Sequence, residues 1–179
     1  MPDLAAAPAF TGMTAIGSGG GVTVRLRDDL TVVAVLARKG ADVAAALGIA
    51  DGPRHSRAGA LTSLGIGPGR WLLLGQKPEA LREKLAGLAS LSDHSDGYAV
   101  FEVSGPCVRE GLAKGVPLDL HPAVFTDAVA VTAIAHIGAI IWQCGENRFA
   151  IAVFRSYAGS FWHWLAASAA QFGLEVETP

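Results

Sequence analysis

Cysteine, charge and long apolar runs are all scarce in this chain of 179 residues, and each scarcity excludes something. The two cysteines, Cys107 and Cys144, stand far apart with no CxxC pair, which fits reduced, buried thiols better than a zinc or redox site. Charged residues make up only 17% of the chain and the formal net charge is −2, so the electrostatic footprint of a nucleic-acid binder is absent. No apolar run approaches the roughly 18 residues of a membrane span, and no membrane association is expected. The opening MPDLAAAPAFTGMTAIG carries an Asp where a signal peptide would be basic, so a cytoplasmic location is expected.

Apolar residues, by contrast, account for 51% of the chain. A dense α/β core would take up part of that surplus, and a surface covered by a partner would take up the rest. Residues 1–21, ending in GSGGG, have no periodicity and read as a flexible N-terminal arm. Neither that glycine cluster nor GIGPGR (65–70) makes a phosphate loop, because no Lys-Ser/Thr pair follows. Residues 22–179 read as a single domain with halves at about 22–90 and 91–179.

VTVRLRD alternates as a half-buried strand does, LTVVAVLARKG follows as a more buried one, and a hairpin turning near Asp28 and Asp29 is predicted between them. DVAAALGI is a short helix stopped by Gly48, GRWLLLG a strand, and KPEALREKLAGL an amphipathic helix with Leu81, Leu85 and Leu88 on one face. The second half repeats this order with YAVFEVSG, the helix GPCVREGLAKG, VAVTAIAHIGAIIWQC as one or two strands broken near Gly138, NRFAIAVF and a closing helix. VVAVLARKGADVAAALGI aligns with YAVFEVSGPCVREGLAKGV, and GRWLLLGQKPEALREKL with NRFAIAVFRSYAGSFWHWL. The predicted fold is α+β: two similar ferredoxin-like β-α-β-β-α units related by a pseudo-twofold axis.

On the closing helix, Ala158, Phe161, Leu165, Ala169 and Phe172 share a face, with Trp162 and Trp164 on its two shoulders and His163 pointing away. The two tryptophans are therefore the interface candidates, Trp164 foremost. DHSDGY (93–98) is a turn whose Asp and Ser bond to the backbone, since neighbours in sequence do not form a Ser-His-Asp site. The histidines show no metal-ligand spacing, the DxH of Asp119 and His121 lacks further ligands, and His136 reads as a satisfied core histidine in an apolar strand. No catalytic and no metal-binding residues are expected in this chain.

The stretch LSDHSDGYAVFEVSGPCVREGLAKGVPLDLHPAVF, continued by TAIAHIGAIIWQ and FRSYAGSFWHWLAASAAQFG, resembles the gamma subunit of heterotetrameric sarcosine oxidase. Its first part is also similar to the folate-binding domain of the glycine-cleavage aminomethyltransferases. The resemblance implies a structural or assembly subunit without a cofactor of its own, in a complex with alpha, beta and delta subunits. That complex would demethylate sarcosine oxidatively to glycine, making hydrogen peroxide and 5,10-methylenetetrahydrofolate, with FAD, FMN, NAD, tetrahydrofolate and zinc in the partner subunits. Where the aminomethyltransferases place acidic residues on a central strand, IGAIIWQ puts Ile141 and Trp142, which cannot act as a carboxylate does. The alternative is a stand-alone folate or one-carbon binding protein, a weak aminomethyltransferase, whose residual cleft would draw on Asp93, Tyr98 and Arg155. Self-association of the isolated chain as a homodimer is left open.

Overall fold

A computed structural model describes residues 9–27 and 29–177. Strands β1 (Val22–Arg27) and β2 (Val32–Ala37) are followed by helix α1 (Val43–Leu47), strands β3 (His55–Ala58), β4 (Leu61–Gly67) and β5 (Arg70–Leu74), helix α2 (Pro78–Arg82) and β6 (Ala89–Asp93). The second half runs β7 (Tyr98–Ser104), α3 (Val108–Ala113), β8 (Val129–Ile134), β9 (Ile137–Gly145), β10 (Arg148–Phe154), α4 (Ala158–Ala169) and β11 (Leu174–Glu177). The mixed α+β class is as expected, but three strands stand between the two helices of each half, where the β-α-β-β-α unit has two.

Two sheets form, ordered β3-β4-β5-β2-β6 and β8-β9-β10-β7-β1-β11. Every neighbouring pair is antiparallel except β1 with β11. The predicted β1–β2 hairpin does not exist: β1 pairs with β7 and β11, while β2 pairs with β5 and β6 in the other sheet. The alternation of β1 was real, but its partners lie far along the chain, and Asp28 of the supposed turn lies outside the described residues.

The sheets pack face to face, with helices on both outer surfaces. Val32, Leu64, Leu72 and Leu74 of one sheet meet Val100, Ile140, Trp142, Ala150 and Ala152 of the other. On the outer sides, Val33, Val35, Trp71 and Leu73 lie under α1 and α2, and Phe101, Val103, Phe149 and Ile151 under α3 and α4. Strands covered on both faces need apolar side chains at consecutive positions, which is why RWLLL and RFAIAV read as continuous runs.

The strand registers make the twofold relation concrete. Setting Arg70 against Arg148 makes Leu72 and Leu74 correspond to Ala150 and Ala152. Leu64, opposite Leu72, then corresponds to Trp142, opposite Ala150, and His55 to Val129 one strand further out. The residues just before these, Arg54 and Ala128, form an antiparallel bridge, with His55 N donating to the Asp127 carbonyl at 2.8 Å and Val129 N to Pro53 at 3.0 Å. A bridge between two corresponding residues is what a twofold axis through it produces. Both halves also shift register at the corresponding step, between Gly65 and Gly67 and between Arg148 and Phe149. Val32 corresponds to Val100 by this route, two positions along from the alignment read off the sequence.

Several local expectations hold. Asp42 caps α1 by accepting from Ala45 N at 2.9 Å, and Gly48 ends the helix at φ 65°. Helix α2 is one short turn, yet Leu81 and Leu85 are buried as its periodicity required. The break between β8 and β9 falls at Ala135 and His136, not at Gly138. Both turn residues have positive φ, 47° and 69°, and His136 is exposed, so it is not the core histidine expected. Within residues 9–21, read as part of a flexible arm, Phe10 and Met13 lie against the core and Ile16 bridges to Leu174. Gly21 is needed there because a Cβ would lie 2.5 Å from the Phe172 carbonyl oxygen.

Candidate functional site

A cavity of about 390 Å³ opens between the two sheets. Its apolar wall includes Leu30, Leu74, Ala150 and the Trp142 ring, and its polar groups are Arg27, Asp29, Arg57, Thr62 and Glu102, with the Cys144 thiol beside them. Glu102 stands alone as a charge in the strand YAVFEVS, on the side that faces the other sheet. Arg27 donates Nη1 to its carboxylate at 2.6 Å and Nε to Asp29 at 2.7 Å. Those bonds, Asp29 first, raise the Arg27 guanidinium further above its ordinary pKa, and the same pair holds the Asp29 carboxyl below the usual range. Among the described residues, both carboxylates that line the cavity, Glu102 and Asp29, accept from Arg27 and are tied to that one guanidinium.

Next to it lies a smaller recess of about 340 Å³, lined by His55, Arg57, Thr126, Asp127, Gln143, Cys144 and Gly145. Burial pushes the His55 imidazole below its ordinary pKa of 6.5, with the Arg57 charge adding to the effect. Burial also pushes the Cys144 thiol up to about 11, which keeps it protonated and a poor nucleophile. Among the described residues no group of three or more His, Cys, Asp or Glu is arranged to hold a metal.

The residues singled out from sequence fall elsewhere. Asp93 accepts from Ser95 N at 2.9 Å and from Ser95 Oγ at 2.6 Å, so DHSDGY is the turn that was read. Tyr98 stacks between Phe154, at 5.3 Å, and His94, at 6.3 Å. Arg155 follows Phe154 in a short 3-10 turn. None of Asp93, Tyr98 and Arg155 lines either cavity. Asp119 accepts from His121 N at 2.9 Å in a backbone turn. The two residues standing where acids were sought point to opposite sides: Ile141 is fully buried beneath α3 and α4, and Trp142 lies between the sheets at the cavity wall. Sequence reasoning missed Arg27, Arg57 and Glu102; the lone charge in an apolar strand was the available signal for Glu102.

Trp162 is only 7% exposed and belongs to the core, which removes it as an interface candidate; its shoulder of α4 is covered by neighbouring side chains. Trp164 is partly buried. Its ring packs 5.5 Å from Phe161 and lies over Gly115, where a Cβ would come within 2.5 Å of it. Phe172 is half-buried because α4 ends at Ala169, and Lys114 sits 5.0 Å above its ring.

The double sheet is a fold shared with a glycine cleavage system aminomethyltransferase T from Bartonella henselae, at a TM-score of 0.65 and 16% identity over 89% of this chain and 48% of that one. The family model described as the sarcosine oxidase, gamma subunit family matches residues 57–171, and the chain belongs to that family. Sarcosine oxidase gamma subunits from Corynebacterium strains U-96 and P-1 are 30% and 32% identical to it, over 61% and 63% of this chain. The matched stretch spans only 56% and 58% of those relatives' lengths. A chain of the heterotetrameric sarcosine oxidase from Corynebacterium sp. U-96 superposes at a TM-score of 0.77, with 26% identity and 88% of both chains covered.

Proposed function

We propose that this chain is a non-catalytic, architectural subunit of a heterotetrameric sarcosine oxidase, assembled with alpha, beta and delta subunits. In the reaction of that complex the N-methyl carbon of sarcosine is oxidised to the formaldehyde level and taken up by tetrahydrofolate, glycine leaves, and dioxygen is reduced to hydrogen peroxide. FAD, FMN, NAD, tetrahydrofolate and zinc belong, on this reading, to the other subunits. The observation that carries it is the match over 88% of both chains to a chain of the Corynebacterium oxidase. The chain's own chemistry agrees, since Glu102 is spent on Arg27 and the Cys144 thiol is held protonated.

Co-expression of all four subunits, with and without this chain, tests the proposal. A stable, oxidase-active tetramer is expected only when it is present. A three-subunit complex of equal stability and activity overturns the reading.

One observation favours a ligand-binding role instead, namely the cavity of about 390 Å³ between the sheets. Its wall carries Trp142 where a carboxylate would be needed, so titration calorimetry of the isolated chain with tetrahydrofolate is expected to show no stoichiometric micromolar binding.

A further inference from the structure

The twofold relation exposes a difference between the two mouths of the sheet-sheet interface. On the side of the larger cavity, positions that face the opposite sheet hold Arg57 and Glu102. Their counterparts by register are Val131, opposite Ile140 as Arg57 is opposite Thr62, and Ala34, opposite Leu72 as Glu102 is opposite Ala150.

Three of the large apolar side chains that the molecule exposes stand on these inward faces. Leu36 shares its side of β2 with Val32 and Ala34, Val131 its side of β8 with Val129, and Phe154 its side of β10 with Ala150 and Ala152. They are 55%, 61% and 53% exposed, although each is aimed where a sandwich normally buries its core. Gly138, whose missing Cβ would meet nothing within 4 Å, leaves open space between the Phe154 and Val131 rows. Tyr98 stacks on Phe154, and Tyr157, half exposed, follows it in the chain. The rim carries an inward-facing cation, Arg70, opposite Leu36, whose charge is felt at the Tyr98 hydroxyl. No carboxylate among the described residues forms an ion pair with Arg70.

We propose that this apolar mouth receives a segment of another subunit of the tetramer, one that offers apolar side chains for Leu36, Val131 and Phe154 and a carboxylate for Arg70. The inference rests on the proposed function for the existence of that subunit. Exposed apolar surface rimmed by polar groups marks interaction sites, and the unpaired guanidinium fixes the sign of the charge that meets it.

The test uses the co-expressed complex, purified through another subunit, with Leu36→Ser/Phe154→Ser, Arg70→Glu, and Val124→Ser as a control that is 62% exposed outside the mouth. Recovery of this chain in the complex is expected to fall at least about tenfold for the first two variants and to stay unchanged for Val124→Ser. Thermal melting of each isolated variant shows whether it is folded, and Arg70→Glu, a change at an exposed position, decides if the double variant melts low. Normal assembly of Arg70→Glu and the double variant overturns the proposal. So does a self-associated isolated chain that Leu36→Ser/Phe154→Ser turns into a monomer, because the occupant is then a second copy. If the unaltered chain itself fails to co-purify, the proposed function falls first, and the two failures are thereby distinguished.

Discussion

Phe161 is fully buried between the Phe101 ring, 5.0 Å away, and Trp164, so truncation leaves a cavity that no neighbour can fill. Phe161→Ala is expected to cost about 3–5 kcal/mol in a denaturant titration. Gly115 makes a sharper test, because its backbone has no need of glycine except for the Trp164 ring above it. Gly115→Ala is expected to cost about 1–3 kcal/mol through overpacking, and much less in a Trp164→Ala background, since the two side chains share one space. His55 makes stability depend on pH. Its folded pKa lies below the ordinary 6.5, so below that value the unfolded chain binds the extra proton. Stability is therefore expected to fall as pH drops from about 7.5 to 5.5, with a smaller fall in His55→Gln; an equal fall in both would show that His55 is not responsible. Phe161 was legible from its helical stripe alone. The Arg27–Glu102 pair was not, because the two residues stand 75 positions apart and only strand pairing brings them together.

Elements were legible in proportion to how local their cause is. Helix α1 announced itself through Asp42 and Gly48, and the strands β5, β7 and β10 through unbroken apolar runs. Strands β3, β4, β6 and β11 were missed. HSRA and ASLSD are half exposed and carry little apolar pattern, and their strand character comes from lying beside β4 and β2. The β8–β9 hairpin was read nearly correctly, but its turn was placed at the glycine, whereas Ala135 and His136 accept the left-handed conformation instead. Two-residue hairpin loops with both φ values positive favour Asn-Gly. Ala135→Asn/His136→Gly is accordingly expected to raise stability by about 1 kcal/mol or more, seen as a higher thermal midpoint, because non-glycine residues are strained by about that much per position in this conformation. A lowered midpoint would show that the His136 side chain contributes a contact that outweighs the strain.

At the scale of the whole molecule, repetition was visible in sequence because both halves reuse one pattern of apolar strands and turn signals. The two sheets bury Leu64, Leu72, Trp142 and Ile140 against one another, so neither half keeps its inner face covered without its counterpart. Thermal unfolding is expected to be a single transition, with tryptophan fluorescence and far-UV circular dichroism coinciding. Two separated transitions would mean that the halves fold independently and that the shared core contributes little. The side chains that break the symmetry, Arg57 against Val131 and Glu102 against Ala34, could not be picked out from the sequence. The correspondence rests on ladder registers, and the alignment read from sequence was two residues out in the first strand.

The place of β1 also bears on the order of events during synthesis. This strand leaves the ribosome ahead of the others described, yet its antiparallel partner β7 begins only at Tyr98 and its parallel partner at Leu174. At roughly 5–20 residues per second, β1 waits on the order of 4–15 s for its first neighbour. Strands β2 to β6 have all their sheet partners within residues 32–93 and can close during that interval. A waiting strand with two bare edges invites pairing with other nascent chains. Charges at alternate positions of a strand disfavour such pairing, and VTVRLR carries Arg25 and Arg27 there, so the Arg27 that ends bonded to Glu102 carries its charge without that partner until Glu102 has been made.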